Sequence, residues 1–354
     1  MAAANICLNK MNDDERFMRN ALREARKGLG RTSPNPAVGA VLVLRNRIVA
    51  RGHHRHAGAP HAEIECLRSF RGKIPKGATL YVTLEPCSTQ GRTGACTDEI
   101  IRAGIKHVVI GATDPNPRHR GRGIELLREA GVEVGTGVLA EECAVLNESF
   151  NKWIATGIPF VIAKCGMSLD GRLTRRKKES RWITSATARR HAQTLRAQVD
   201  AILVGAETIR IDNPRLTVRN ASHRQQPARV VITRSGKIPR DAHVFTDRFA
   251  KNTHVYQNET FPAILADLGA KNITSLMIEG GERVLGQALD ERLIDKVQIY
   301  IAPIFAGGPT VAFGGQGALH THDSAHLERV RFEKIGPEIC VTGYPKYSLA
   351  AERE

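Results

Sequence analysis

The chain has few aromatic residues, 5% of its 354, and no uninterrupted apolar run close to the roughly 18–20 residues that would span a bilayer. Proteins that bind nucleic acid usually interleave basic residues with stacking aromatic side chains, so this composition argues against that class. The first residues, MAAANICLNK, lack the apolar core of a secretory signal peptide. We therefore expect a cytoplasmic protein that does not enter a membrane, and we favour a function that involves no nucleic acid.

Cysteine is also scarce, with seven residues at scattered positions. An odd, scattered set in a long chain without a secretory signal does not indicate a disulfide framework, and a reducing cytoplasm is the better interpretation. In that compartment, two cysteines close together in a loop are better interpreted as metal ligands than as a disulfide.

Acidic residues are outnumbered, since 52 Lys and Arg stand against 36 Asp and Glu and give a formal net charge of +16. A pI near 9.9 fits a polynucleotide partner, a membrane surface or small anionic ligands. The charge alone does not distinguish these three classes.

The length predicts two domains. Apolar strands alternate with helices up to about residue 140, beginning with a helix capped by Asp13 or Asp14, which is typical of an α/β sheet with helices on both faces. Residues 141–156 then predict one helix, Gly157-Ile158-Pro159 interrupts the chain, and a second strand–helix series follows. We expect α/β domains at residues 1–155 and 156–354.

The densest chemistry lies in the first half. His61 and Glu63 form a His-x-Glu pair, and Pro86-Cys87 and Cys96 follow. One imidazole and two thiolates supply three of the four ligands of zinc and leave a position for water, which is the pattern of a catalytic site. Glu63, two residues beyond His61 at a helix start, can move protons without binding the metal. A His-x-Glu pair alone is usually an ordinary helix start, so the prediction depends on the full set.

This set resembles the signature of zinc nucleobase deaminases, except that the second cysteine comes nine residues after the first. Further motifs, in their shared order, resemble the bifunctional riboflavin-biosynthesis deaminase/reductase family over residues 13–344. They are Ser33-Pro34-Asn35-Pro36, Pro60-His61-Ala62-Glu63, Thr83-Leu84-Glu85-Pro86-Cys87-Ser88, Gly91-Arg92-Thr93, Asp114-Pro115-Asn116-Pro117, Ser168-Leu169-Asp170-Gly171, Ser180-Arg181-Trp182-Ile183-Thr184, Asp212-Asn213-Pro214 and Glu279-Gly280-Gly281.

The resemblance implies a cytidine-deaminase-like three-layer α/β/α domain followed by a dihydrofolate-reductase-like α/β domain. The first would deaminate 2,5-diamino-6-ribosylamino-4(3H)-pyrimidinone 5′-phosphate, and the second would reduce the ribosyl chain with NADPH. His61, Cys87 and Cys96 would bind zinc, Glu63 would be the proton donor and acceptor, and Asn35 would contact the substrate. From its residue type alone, Asn35 is equally an ordinary turn residue between two prolines.

The same resemblance assigns residues of the second domain. Those that would bind NADPH are Gly166, Trp182, Thr208, Asp212 and the segment Gly281, Glu282, Arg283, Val284, Leu285, Gly286 and Gln287. Those that would bind the substrate are Ser180, Arg196, Leu216, Arg219 and Glu279, with Lys164 as a further candidate. Guanidinium groups suit phosphate, although a surface arginine is more often only solvated. The Gly-Gly turn lacks the G-x-G-x-x-G fingerprint, so a Rossmann domain is not supported.

Two segments depart from the family pattern. Thr89, Gln90, Gly94 and Ala95 replace a histidine and two prolines between the cysteines, which puts substrate contact by this loop in doubt. The basic run Arg175–Lys178 stands where the family has small residues. Dimerisation through the reductase domain is also implied.

Two other classes of function are alternatives to a deaminase/reductase. A deaminase of tRNA or single-stranded DNA with a basic C-terminal binding module would explain the positive charge, but not the motifs of the second half. A structural protein with a relic zinc site would have no use for Glu63.

Overall fold

A computed structural model describes residues 12–89, 94–117, 119–173, 182–219 and 226–347. The chain divides into two compact units with the boundary between Ala155 and Thr156. No helix among the described residues is long and apolar enough to cross a membrane. Six cysteines are described, and all six are free thiols.

The N-terminal unit contains a five-stranded sheet in the order β2-β1-β3-β4-β5. Its strands are β1 (Gly39–Leu44), β2 (Arg47–His53), β3 (Thr79–Leu84), β4 (His107–Ala112) and β5 (Glu133–Thr136). Its helices are α1 (Asp13–Arg26), α2 (Ala62–Ser69), α3 (Cys96–Arg102), α4 (Arg122–Glu129), α5 (Ala140–Leu146) and α6 (Glu148–Thr156). The β1–β2 and β1–β3 pairs are antiparallel, whereas β3, β4 and β5 run parallel.

Alternate residues of these strands point to opposite faces and build two separate cores. Val41 and Val43 of β1 pack with α1 and α5 on one face. Ala40 and Leu42 of the same strand pack with α2, α3 and α4 on the other. The unit is therefore a three-layer α/β/α sandwich.

The C-terminal unit contains an eight-stranded sheet in the order β12-β13-β11-β6-β10-β7-β8-β9. Its strands are β6 (Phe160–Ser168), β7 (Ala201–Gly205), β8 (Ala228–Thr233), β9 (Thr253–Gln257), β10 (Ser275–Glu279), β11 (Lys296–Ala302), β12 (His326–Ile335) and β13 (Glu338–Lys346). Its helices are α7 (Ala186–Arg196), α8 (Ala206–Asp212), α9 (His243–Thr246), α10 (Phe261–Ala270) and α11 (Glu282–Asp290).

Strands β11, β6, β10, β7, β8 and β9 are parallel to one another. At one edge, β13 pairs antiparallel with β11, and β12 pairs antiparallel with β13. Ile278 of β10 packs with α10 and α11 on one face, while Met277 packs with α8 and α9 on the other. The parallel strands bring their carboxyl ends to one edge, which is where ligands usually bind such sheets.

Two local predictions were wrong, and one helix was missed. Asn12, and neither Asp13 nor Asp14, caps α1, since its side chain accepts a hydrogen bond from the backbone N–H of Asp14. The single helix predicted for residues 141–156 is two helices separated at Asn147, whose buried side chain bonds to another loop. Helix α10 was not predicted, although Thr260 caps it, Pro262 follows, and its apolar residues recur at helical spacing.

Candidate functional site

Three potential metal ligands come together in the N-terminal unit. His61 caps α2, Cys87 follows β3, and Cys96 begins α3. Their ligand atoms all lie within 4.8 Å of one another. His61 Nδ1 is 3.2 Å from the Cys96 sulfur and 3.5 Å from the Cys87 sulfur. One imidazole nitrogen and two sulfurs are the donor set that zinc accepts, and three protein ligands leave a coordination position open.

Glu63 lies in the first turn of α2 with only 3% of its surface exposed. Burial raises the pKa of this carboxyl to about 7, and the charge of Cys87 adds to that rise. A carboxyl that titrates near neutral pH is able to accept and return a proton. The structure therefore places a carboxyl that can exchange a proton beside the potential ligands, and its catalytic role stays a prediction.

The two thiols of the set differ in acidity. Hydrogen bonds from Cys96 and His61 lower the pKa of Cys87, despite its burial. Its hydrogen bond to Cys87, together with burial, raises the pKa of the Cys96 thiol. The backbone N–H of Cys96 also donates to the Cys87 sulfur at 3.4 Å, which further favours a thiolate at Cys87. A bound dication would deprotonate both.

The loop that carries Asn35 is anchored from a distance. Buried Asn147, at the break between α5 and α6, accepts from the N–H of Ala37 at 2.8 Å and donates to its carbonyl at 3.0 Å. The backbone N–H of Asn35 donates to the Thr32 carbonyl at 2.8 Å. Sequence reasoning missed Asn147, because a single asparagine 110 residues away carries no local signal.

His54 connects this loop to the metal ligands. Its Nε2 lies 3.3 Å from the Asn35 amide nitrogen, and its Nδ1 lies 3.1 Å from the carbonyl oxygen of Pro60. Its ring meets that of His61 edge to face, with centroids 5.3 Å apart. Burial lowers the pKa of His54, so the ring is neutral near pH 7. Asn35 is thereby brought to the zinc site, and His54 was not predicted to be there.

Glu85, just before Pro86 and Cys87, is 5% exposed and accepts four backbone hydrogen bonds. One carboxylate oxygen accepts from the N–H groups of Asp114 and Gly121 at 3.1 and 3.0 Å. The other accepts from Gly123 and Ile124 at 2.9 and 3.4 Å. This carboxylate therefore ties the zinc-ligand segment to the loop that contains the Asp-Pro-Asn-Pro motif. Glu85 belongs to one of the sequence motifs, but the sequence predicted no role for it.

In the C-terminal unit, predicted residues gather at the carboxyl edge of the parallel strands. Lys164 and Gly166 lie on β6, Glu279 ends β10, and Thr208 lies on α8 directly after β7. Because β6, β10 and β7 are adjacent in the sheet, three segments far apart in sequence meet here. Asp212 ends α8.

Glu279 is the centre of an ion-pair network. Its two carboxylate oxygens meet Lys164 Nζ at 3.1 Å and Arg196 Nε at 2.9 Å. Burial alone would raise the pKa of Glu279, but the two cations outweigh it and hold the pKa at about 2. Arg196 also donates to the carbonyl of Thr217 at 3.2 Å, which fixes the loop that leads to Arg219. Glu279 therefore remains charged at neutral pH.

The residues of the predicted cofactor segment, 281–287, differ in how deeply they are buried. Gly281 precedes α11 with a φ of 84°, a conformation that favours glycine. Val284 and Leu285 are buried in the core, and Gly286 packs directly against Gly314. Glu282, Arg283 and Gln287 are at least partly accessible. The first turn of α11, with its free backbone N–H groups, is the part of this segment suited to a phosphate.

Other predicted residues of this unit differ in what they offer a ligand. Trp182 is 43% exposed, with the Arg189 guanidinium 4.6 Å from its ring centroid. Gly166 faces Thr184, whose methyl group would be 2.9 Å from any Cβ added at 166. Arg219 is exposed, but the Leu216 side chain is buried in the core, so only its backbone can contact a ligand.

Some predicted residues lie outside the described part of the chain. They are Gln90, Gly91-Arg92-Thr93, Ser180, Arg181 and the basic run Arg175–Lys178.

Two family models match the chain. The cytidine and deoxycytidylate deaminase zinc-binding region matches residues 11–112, and the RibD C-terminal domain matches residues 159–341. The first contains the potential zinc ligands, and the second contains the ion-pair network.

Curated relatives align over nearly the whole chain. The riboflavin biosynthesis protein RibD of Bacillus amyloliquefaciens is 38% identical, with 94% of this chain and 96% of the relative covered. The protein of the same name from Escherichia coli K12 is 36% identical, with 93% and 98% covered.

Solved structures agree. Acinetobacter baumannii RibD has a TM-score of 0.87 and 32% identity over 94% of this chain and 99% of that one. A Thermotoga maritima diaminohydroxyphosphoribosylaminopyrimidine deaminase/5-amino-6-(5-phosphoribosylamino)uracil reductase has a TM-score of 0.84 and 36% identity, with the same coverage. The predicted fold class is confirmed: a cytidine-deaminase-like unit followed by a dihydrofolate-reductase-like unit.

Proposed function

Because the chain belongs to the RibD family of riboflavin-biosynthesis enzymes, which join a zinc deaminase to a reductase, we propose the substrate and cofactor of each reaction. The N-terminal unit deaminates 2,5-diamino-6-ribosylamino-4(3H)-pyrimidinone 5′-phosphate, and the C-terminal unit then reduces the ribosyl chain with NADPH. The observation that supports this most directly is the convergence of His61, Cys87 and Cys96 beside buried Glu63.

In the deaminase, His61, Cys87 and Cys96 hold the zinc. When bound, zinc lowers the pKa of water enough to supply a nucleophile near neutral pH. Glu63 would accept a proton from the attacking water as its oxygen bonds to the ring carbon, and would donate a proton to the amino group as the C–N bond breaks and ammonia leaves. Asn35 holds the pyrimidine, and its anchored loop keeps it in place.

In the reductase, NADPH would be held at the carboxyl edge of β6, β7 and β10 and would supply the hydride. The residues that would hold it are Gly166, Trp182, Thr208, Asp212 and the first turn of α11. Glu279 and Lys164 hold the hydroxyl groups of the sugar chain, while Arg196 and Arg219 bind near the phosphate. Because Glu279 is already paired with Lys164 and Arg196, these side chains are ordered before the substrate arrives.

The test supplies the diaminopyrimidine substrate and follows ammonia and NADPH together. Ammonia release should precede NADPH oxidation, and NADH should replace NADPH poorly. Glu63→Gln should keep about one zinc per chain but release no ammonia, while Arg219→Ala should oxidise NADPH slowly and deaminate normally. Normal deamination by Glu63→Gln would show that the proton-transfer role is wrong.

The same experiment addresses the alternative of a nucleic-acid deaminase, which the relatives do not favour. Tight, strongly salt-dependent RNA binding without NADPH oxidation would support that alternative. The net charge of +16 does not require it, because both the sugar phosphate and NADPH are anionic.

We also propose a cytoplasmic homo-oligomer formed through the reductase unit. Strand β12 is at the edge of the sheet, and it exposes Phe332 (73%), Val330 (37%) and Leu327 (36%). An exposed apolar edge strand is suited to pairing with a second copy. Phe332→Asp should then shift the protein to a smaller species in light scattering, and an unchanged mass would contradict this interface.

A further inference from the structure

We propose that His54 is a positioning residue that fixes the direction of the Asn35 amide, so that Asn35 offers its carbonyl oxygen to the pyrimidine. The inference rests on the proposed role of Asn35 as a substrate contact. It adds the chemical class of the group that Asn35 recognises, a hydrogen-bond donor such as a ring N–H or an amino group.

The Pro60 carbonyl beside His54 can only accept a hydrogen bond. His54 Nδ1 lies 3.1 Å from that oxygen, so Nδ1 is the donor of this contact. On the other side of the ring, Nε2 lies 3.3 Å from the amide nitrogen of Asn35. An amide nitrogen can only donate, so Nε2 accepts from Asn35. The Asn35 oxygen is therefore on the side of the amide away from His54.

Hydrogen bonds hold the backbone around Asn35 in place, so the side chain starts from a fixed position. The Asn35 N–H is bonded to Thr32, and Asn147 bonds both backbone groups of Ala37. Among the described residues, none donates a hydrogen bond to the Asn35 oxygen. This oxygen is thus available to a ligand, while one N–H of the amide is already bonded to His54.

Recognition by an acceptor suits the proposed substrate. A diaminopyrimidinone carries donors on its ring edge, and an amide oxygen aimed at them discriminates against rings that present only acceptors there. If the amide were reversed, its amino group would face those donors and repel them. His54 therefore influences the specificity of the site through the Asn35 amide.

Two substitutions separate the two hydrogen bonds of His54. The amide of an asparagine reaches the place of Nδ1, so His54→Asn keeps the bond to Pro60 and loses the acceptor for Asn35. The amide of a glutamine reaches the place of Nε2, so His54→Gln keeps an acceptor for Asn35 and loses the bond to Pro60. His56→Asn, at an exposed histidine two residues away, is the matched control.

The deaminase KM and kcat are measured for each variant, together with zinc content and reductase activity on pre-deaminated substrate. We expect His54→Asn to raise KM about tenfold at unchanged kcat and zinc content, and His54→Gln to stay within about threefold of the wild type. In an Asn35→Ala background, His54→Asn should add nothing, because there is no amide left to orient.

Four results would overturn the inference: a wild-type KM in His54→Asn, loss of zinc in that variant, equal impairment in His54→Gln, or multiplicative effects with Asn35→Ala. Loss of zinc would mean that His54 serves the metal ligand His61 instead. If the wild type itself released no ammonia, the proposed function would fail, and the inference would fail with it.

Discussion

Glu85→Gln should destabilise the N-terminal unit strongly, although it changes one atom. In the wild type, one carboxylate oxygen accepts from Asp114 and Gly121, and the other accepts from Gly123 and Ile124. Glutamine keeps one oxygen and replaces the other with an amino group. Two backbone N–H groups then face a donor instead of an acceptor.

The expected loss follows from those two groups. A buried donor left without a partner costs about 1–3 kcal/mol, and the two remaining bonds weaken because their acceptor is no longer charged. One of the four bonds is long, at 3.4 Å, which limits its share. We therefore expect the free energy of unfolding to fall by about 2–4 kcal/mol.

The assay is urea unfolding followed by tryptophan fluorescence. The chain has two tryptophans, Trp153 in the N-terminal unit and Trp182 in the C-terminal unit, so a Trp182→Phe background leaves a reporter of the first unit alone. The midpoint should fall by roughly 1–2 M urea. Zinc release, read with a chromophoric chelator, should occur at the same lower urea concentration.

Glu125→Gln is the matched control, because Glu125 is exposed on α4 and, among the described residues, pairs with the Arg122 side chain alone, at 3.2 Å. An exposed pair of this kind contributes less than about 1 kcal/mol. A Glu85→Gln protein whose stability differed from the wild type no more than this control would refute the reasoning. It would mean that the four backbone N–H groups find other partners at little cost.

Three further outcomes are expected. Because the pKa of Glu279 is lowered to about 2 in the folded state, its contribution to the free energy of unfolding is full above its ordinary pKa and is lost as the pH falls. Between pH 6 and pH 3, the free energy of unfolding of the wild type should therefore drop about 2 kcal/mol more than that of Glu279→Gln. Equal slopes for the two proteins would contradict this. Gly286→Ala should lower the melting temperature of the C-terminal unit, although alanine has the better helix propensity. The reason is that the new Cβ would lie 2.4 Å from the Gly314 carbonyl carbon. A raised melting temperature would show that there is no such clash. Removing zinc with a chelator should abolish ammonia release and leave reduction of pre-deaminated substrate intact, whereas loss of both activities would link the two units.

Much of the fold could be predicted because its signals are local. Continuous apolar runs indicate the buried parallel strands, as in β4 (His107–Ala112). The break at Asn147 could not be predicted in this way. Its side chain satisfies the backbone of Ala37, 110 residues away, and no periodicity within residues 140–156 records that bond.

The same distinction between local signals and distant contacts applies to the candidate site. His61, Glu63, Cys87 and Cys96 were predicted because zinc chemistry requires particular side chains at short spacings. The role of Glu85 escaped prediction because its partners are backbone N–H groups, which every residue except proline carries. The side chains that bind a metal can be recognised in the sequence, whereas the groups that position their loops can hardly be recognised there.

The fold determines the pKa values of two buried glutamates. Glu63 and Glu279 are the same residue type, and burial raises the pKa of both. At Glu63 the charge of Cys87 adds to that effect and the pKa reaches about 7, a value that a bound dication would lower. At Glu279, Arg196 and Lys164 reverse it and the pKa falls to about 2. The first carboxyl can therefore exchange a proton during a reaction, while the second keeps a fixed charge that orders its neighbours. Exchanging these roles would require changing the neighbours and not the glutamates, because the neighbouring charges determine the direction of each shift.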